Sequence, residues 1–311
     1  MTILVTGANG FVGSALCACL SKNGAAVRAV VRTLHSYSGG VETVEIGSLS
    51  SKTDWTAPLR GINQVVHLAA RVHVMNDKSA DPLEEFRKVN VDAMINLANQ
   101  AAAAGVKRFV FLSSIKVNGE STQLGCPFTA DDIPRPQDPY GVSKYEAEPE
   151  LCNIAEQTGM EVVIIRPPLV YGAGVKANFA SMMQIIQRGV PLPLASVTGN
   201  QRSLVALGNL VDLIVVCINH PAAANQTFLV SDDEDVSTTE LLKRMGLALK
   251  KPAKLFYVPI LLLQFGAALL NKSEIYQRLC GSLQVDITKT KELLNWTAFI
   301  GRSRVDASYQ R

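Results

Sequence analysis

The sequence predicts an α/β protein: a doubly wound parallel sheet covered by helices on both faces, with a smaller, mostly helical, discontinuous second domain. Two observations carry this. Short β-branched runs alternate with longer helical patterns through the first half, and those runs are almost continuously apolar, as strands buried on both faces are. After Pro167 the rhythm gives way to glycine- and proline-rich segments. With 311 residues, 48% hydrophobic and 18% charged, the chain can bury a sizeable core.

In order, strands are expected at 2–7 (TILVTG), 26–32 (AVRAVVR), 43–47 (TVEIG), 64–70 (QVVHLAA), 108–114 (RFVFLSS) and 161–167 (EVVIIRP), with helices near 11–23, 83–104 and 141–158. Then come YGAGVKANF and RGVPLPLASVTGNQRS, an apolar helix at 209–219, a strand at 226–232, and a mostly helical remainder that includes TKTKELLNW. Residues 1–167, with a return near 204–232, are expected to form the first domain, and 168–203 with 233–311 a cap. The run LFYVPILLLQFGAALL (255–270) carries no charge but contains Pro259 and is shorter than the roughly 20 apolar residues a bilayer span needs. It predicts a buried or substrate-covering helix and no transmembrane segment, with contact at a membrane surface as the other reading.

The net charge of +3 comes from scattered Lys and Arg without a basic tract, which argues against nucleic acid and for a small-molecule partner. Six cysteines show neither CxxC pairs nor metal-ligand spacing; they read as reduced structural thiols, with no metal. MTILVTGANG runs directly into a strand and a glycine turn, leaving no room for a signal peptide, so a cytoplasmic location is expected.

TGANGFVG places Gly7, Gly10 and Gly13 between the first strand and the first helix. Glycine there permits a tight turn, close approach of backbone to a pyrophosphate, and tight helix-to-strand packing. The N–H groups of the helix mouth then face the phosphates of a dinucleotide. Arg32 ends the second strand, with no acid until Glu42. An acid after that strand commonly holds the ribose diol of NAD, whereas an arginine suits the 2′-phosphate of NADP. Arg32 therefore favours NADP(H), with NAD(H) the alternative; the competing reading is an arginine that merely stacks on adenine.

DPYGVSKYEAE contains Tyr140 and Lys144, four apart and so on one helix face. A tyrosine hydroxyl titrates near 10 unperturbed, and a neighbouring ammonium lowers it toward proton exchange at neutral pH. Ser113 and Ser114 end the fifth strand, where hydroxyls face the ligand crevice of such a sheet or simply satisfy backbone at the turn.

From TGANGFVG through HLAA, FLSS, YGVSK and RPPLVYG to VDITKTKELLNW, the chain resembles the extended short-chain dehydrogenase/reductase family, in its NAD-dependent epimerase/dehydratase, nucleotide-sugar branch, with a Rossmann-type core. The resemblance implies that Ser114 orients the sugar, Tyr140 transfers the proton, and Lys144 holds the nicotinamide ribose and lowers the pKa of Tyr140. It implies further cofactor contacts at Gly7, Gly10, Phe11, Val12, Arg32, Leu68, Ala69, Ala70, Asn90, Ser113 and Pro167. Asn178 and Arg202 would contact the nucleotide diphosphate, with Arg278 a further phosphate candidate; a domain-bridging salt bridge is the other reading of Arg202. Three places depart from the family pattern: Ser48 where an adenine-contacting Asp is usual, Asn118 in place of an aromatic, and the final residues FIGRSRVDASYQR.

The implied reaction is oxidation or reduction at C4 of a UDP-sugar, in bacterial surface-polysaccharide synthesis. Arg32 tilts it toward a 4-keto-sugar reductase. The alternative is a 4-epimerase of the UDP-glucose or UDP-N-acetylglucosamine type with retained NAD; a steroid- or flavonoid-type ketoreductase and a redox-dead binding protein are the minor ones. A dehydratase is disfavoured because SSIKVNG supplies no acidic pair. Helices 83–104 and 141–158 would serve a homodimer, or lie covered by the chain's own sheet.

Overall fold

The computed structural model describes residues 1–34, 41–72, 81–175 and 178–299. In chain order the strands are β1 (Thr2–Thr6), β2 (Ala26–Val31), β3 (Glu42–Glu45), β4 (Gln64–His67), β5 (Arg108–Leu112), β6 (Glu161–Arg166), β7 (Leu169–Tyr171), β8 (Arg202–Ala206), β9 (Gln226–Leu229) and β10 (Asp235–Val236). The helices are α1 (Phe11–Lys22), α2 (Pro82–Arg87), α3 (Ala93–Ala103), α4 (Pro139–Thr158), α5 (Asn178–Gln187), α6 (Leu207–Asn219), α7 (Thr238–Ala248), α8 (Ile260–Leu269), α9 (Ser273–Cys280) and α10 (Thr288–Leu294).

Seven strands form a parallel sheet in the order β3-β2-β1-β4-β5-β6-β9. The order turns back between β1 and β4, which opens a crevice beyond the strand C-termini. β1 shows why the apolar run becomes a central strand. Ile3 and Val5 pack into the core under α1 and α6, while Leu4 packs into the opposite core with α3 and α4. Alternate side chains thus serve two faces, and each fully buried aliphatic contributes about 1.5–3 kcal/mol. A second sheet, β10-β8-β7, joins α5 and α7 around a third core.

Three details differ from expectation. The single helix read at 83–104 is interrupted by a π turn at Lys88–Asp92, closed by the Ala93 N–H to the Lys88 carbonyl. Leu283, Val285, Ile287, Leu294 and Trp296, expected in the cap, pack into the core beside α1 and α6. And α8, expected to be buried or to cover the substrate, has no buried residue. Leu263 reaches the third core, but the described chain offers nothing to cover the rest of the helix.

Candidate active site

The glycine turn between β1 and α1 is shaped by contacts that a side chain would destroy. Gly7 has φ of 65°, and a Cβ there would stand 2.8 Å from the Ala69 nitrogen; at Gly13 it would stand 2.1 Å from the Gly7 carbonyl oxygen. Gly10 caps α1 without a side chain, so the N–H groups of Phe11 and Val12 remain open to an anion. This cradle fits a dinucleotide pyrophosphate, since backbone lines it and nothing fills it.

Opposite the cradle, β4 delivers Leu68, Ala69 and Ala70, all half-buried. Thr6 fixes them: its hydroxyl accepts from the N–H groups of Leu68 and Ala69, each at 3.2 Å. Its own proton is then free for His67 Nδ1, 2.9 Å away. The neutral imidazole therefore carries its proton on Nε2, which has no hydrogen-bond partner among the described residues. Burial, and then the charge of Lys144, pushes the His67 pKa down to about 3. Asn90 holds the far end of the same loop. Lying in the π turn, it accepts from the Arg71 N–H at 2.8 Å and donates to the Arg71 carbonyl at 3.0 Å and to Ser143 Oγ at 2.9 Å. Asn90 thus reaches the cofactor side through the loop.

The candidate reacting groups lie at the C-terminus of β5 and the N-terminus of α4. The Ser114 hydroxyl favours the ionised form of Tyr140. Ser113 does not face the crevice as expected: its hydroxyl donates to Glu148 Oε1 at 2.5 Å. Successive side chains of an extended strand end point opposite ways, so only one serine can face the ligand. Glu148 is also paired with Arg166 at 2.5 Å, and Arg166 donates to Asn118 at 3.0 Å. Asn118, where an aromatic is usual, thus completes a buried polar cluster. Pro167 is buried and its carbonyl accepts from the Ile115 N–H at 3.0 Å, joining β6 to the serine turn.

Asp138 and Pro139 start α4 for recognisable reasons: Asp138 caps the Gly141 N–H at 2.6 Å, and proline suits the first turn. Lys116 ties this start to the serine turn by pairing with Asp138 and Glu120. Lys144 Nζ donates to the Leu112 carbonyl at 2.8 Å and lies 4.3 Å from the Phe111 ring centre. Burial pulls its pKa down to about 7, against the opposing pull of Glu148. Tyr140 is not acidified as expected. Burial and then the Asp138 charge raise its pKa, and the Ser114 hydrogen bond works against them.

On the substrate side, Arg202 is largely desolvated and donates to the Gly281 carbonyl at 3.1 Å. No ion pair engages it among the described residues, so the salt-bridge reading finds no partner. Arg278 lies exposed on α9, 3.7 Å from Glu274. Asn178 opens α5, and its side chain lies outside the described residues. Arg32 is exposed at the end of β2. There the sheet supplies what the chain order did not: Glu45, opposite Val31 on β3, has its carboxylate 3.2 Å from the Leu34 N–H.

Several of these groups escaped sequence reasoning. Glu148 was detectable, because 140, 144 and 148 fall on one helical face. Thr6, His67, Arg166 and Glu45 come together only through strand pairing. Arg71, in the loop after β4, lies 5.6 Å from the ring of Phe86 on α2, itself edge-on to Tyr140.

The model of the NAD dependent epimerase/dehydratase family matches residues 3–231. A UDP-glucose 4-epimerase of Vibrio cholerae is 52% identical over 296 residues, covering 95% of this chain and 90% of that protein. Among solved structures, MoeE5 in complex with UDP-glucose and NAD superposes with a TM-score of 0.77 at 25% identity, over 97% of this chain and 94% of the other. The UDP-glucose 4-epimerase of Thermotoga maritima, at 23% identity over 97% of this chain and 94% of its own, shares the fold with a TM-score of 0.76. These likenesses support the epimerase alternative over the reductase; nothing in them supports a preference for NADP(H).

Proposed function

Since the chain belongs to the NAD-dependent epimerase/dehydratase family, we propose that it inverts C4 of a UDP-hexose, of the UDP-glucose and UDP-galactose type, with one retained NAD. The observation that carries this reading is the likeness to the Vibrio cholerae enzyme over nearly the whole chain, together with a Ser114, Tyr140 and Lys144 constellation beside a glycine cradle.

In this reading Tyr140, acting as the phenolate that the charge of bound, oxidised NAD would favour, takes the proton of the C4 hydroxyl as the hydride leaves C4. After the 4-keto sugar turns its other face, Tyr140 returns the proton. Ser114 holds the oxygen through both passages. NAD, when bound, supplies the hydride acceptor and, oxidised, a positive charge. Lys144 holds the nicotinamide ribose, from a position fixed by the Leu112 carbonyl. Arg202, desolvated and without an ion-pair partner among the described residues, receives the diphosphate of the substrate through charge-assisted hydrogen bonds. Glu45 offers the carboxylate for the ribose diol at the end of β2, and Arg32 stacks on adenine.

The test is mass spectrometry of the nucleotide released from the purified protein, combined with proton NMR of UDP-glucose incubated without added nicotinamide. NAD in near-stoichiometric amount and appearance of UDP-galactose are expected. An empty protein that fills selectively with NADPH and consumes it on a 4-keto sugar would overturn the reading.

A further inference from the structure

We propose that α8 docks this protein on an anionic lipid bilayer, lying in the plane of the interface. The helix is ten residues long, ILLLQFGAAL, and none is buried. Leu261, Leu262, Phe265 and Leu269 are 77%, 60%, 69% and 75% exposed, and Tyr257 just before them 72%. A water-soluble chain gains nothing from presenting so contiguous an apolar surface to solvent, and such patches mark contact with another body.

Length decides how a bilayer would be met. Ten helical residues reach about 15 Å, half of the roughly 30 Å hydrocarbon core, so α8 is too short to cross. No helix among the described residues is long and apolar enough to do so. An apolar helix of this size instead sinks among headgroups and the first acyl carbons.

Charge decides which surface. Between Glu240 and Glu274 the chain has no acidic residue and six cations: Lys243, Arg244, Lys250, Lys251, Lys254 and Lys272. Arg244 is paired with Glu234 and Glu240. Lys243, Lys250, Lys254 and Lys272 are exposed and in no ion pair among the described residues. Lys272 directly follows α8, its N–H bonded to the Ala267 carbonyl. An apolar helix bracketed by unneutralised lysines matches an anionic leaflet, where each cation near the surface adds about 1 kcal/mol. A second copy of this chain fits less well. A two-fold contact sets the same patch on both subunits and would place these lysines opposite lysines.

The full chain should float with vesicles of phosphatidylglycerol and phosphatidylethanolamine, stay behind from vesicles of phosphatidylcholine alone, and be released as salt rises. Leu261→Glu with Phe265→Glu should lower the floated fraction about tenfold or more, with epimerase turnover in solution unchanged. Lys254→Glu with Lys272→Glu should lower it to a similar degree while leaving the apolar face intact. Failure of the wild type to float with the anionic vesicles would overturn the proposal. So would a wild-type dimer in sedimentation that L261E/F265E converts to monomer, because a second copy would then be what covers α8.

Discussion

Helices α4 and α8 invert the simplest rule of protein interiors. α4 is rich in polar residues and buries Lys144, Glu148 and Ser143, whereas α8 is almost wholly apolar and has no fully buried residue. Partners, and not hydropathy alone, settle the matter. Lys144 is accepted inside because a carbonyl and an aromatic face receive it, and Glu148 because Arg166 and Ser113 do. α8 stays outside because, among the described residues, only its Leu263 finds a core to enter. A buried charge thus points to machinery that was assembled around it, and an exposed leucine helix to a cover that the described residues do not supply.

The sharpest way to break this contrast is at the reacting end of α4. Tyr140→Phe removes the proton carrier and should lower kcat by about 100- to 10,000-fold, with bound NAD retained in the released-nucleotide assay. Next, Glu148→Leu strands the Arg166 guanidinium and should cost about 3–5 kcal/mol in urea unfolding, most of it recovered by the double change Glu148→Leu with Arg166→Met.

The acid response of His67 comes third. Its pKa of about 3 in the folded chain lies below the unfolded value of 6.5, so between these pH values the unfolded chain binds more protons. Its contribution is full above pH 6.5 and is lost as pH falls, reaching roughly 3 kcal/mol at pH 4. His67→Leu should be less stable at pH 7, for want of the Thr6 bond, but should show a correspondingly flatter decline on acidification in denaturation curves.

Smaller still, Arg202→Ala should raise KM for the UDP-sugar about 10- to 100-fold, while Arg278→Ala should change it less than about threefold; equal effects would move the diphosphate site toward α9. The least effect belongs to α8. Leu261→Gln should shift unfolding by no more than about 0.5 kcal/mol, despite placing an amide in the most apolar segment of the chain. A larger loss would mean that α8 is part of the core after all.

What the sequence disclosed follows the range of the interactions involved. The strands, the glycine turn and the placing of Tyr140 and Lys144 on one helix are written in periodicities of two to four residues, and all were legible. Thr6 with His67 and Glu45 beside Leu34 depend on which strands become neighbours, and Glu148 with Arg166 on how α4 packs against β6, so local pattern could not show these pairings. The surroundings of Arg32 were hidden for the same reason: the carboxylate near the end of β2, that of Glu45, comes from the neighbouring strand and not from the chain order. The exposure of α8 was illegible in another sense, since an apolar helix with a cover and one without have the same sequence.

The π turn at Lys88–Asp92 has a bearing on how such a site can arise. A π turn is an α-helix holding one surplus residue, and a single-codon insertion suffices to create it. Here the surplus residue bulges where α2 passes into α3, and Asn90 in the bulge grips both the N–H and the carbonyl of Arg71. The helix continues on the far side as α3, whose Ala93, Met94, Leu97, Ala98 and Ala101 are buried. One surplus residue in a helix thus fastens the loop after β4 to the scaffold.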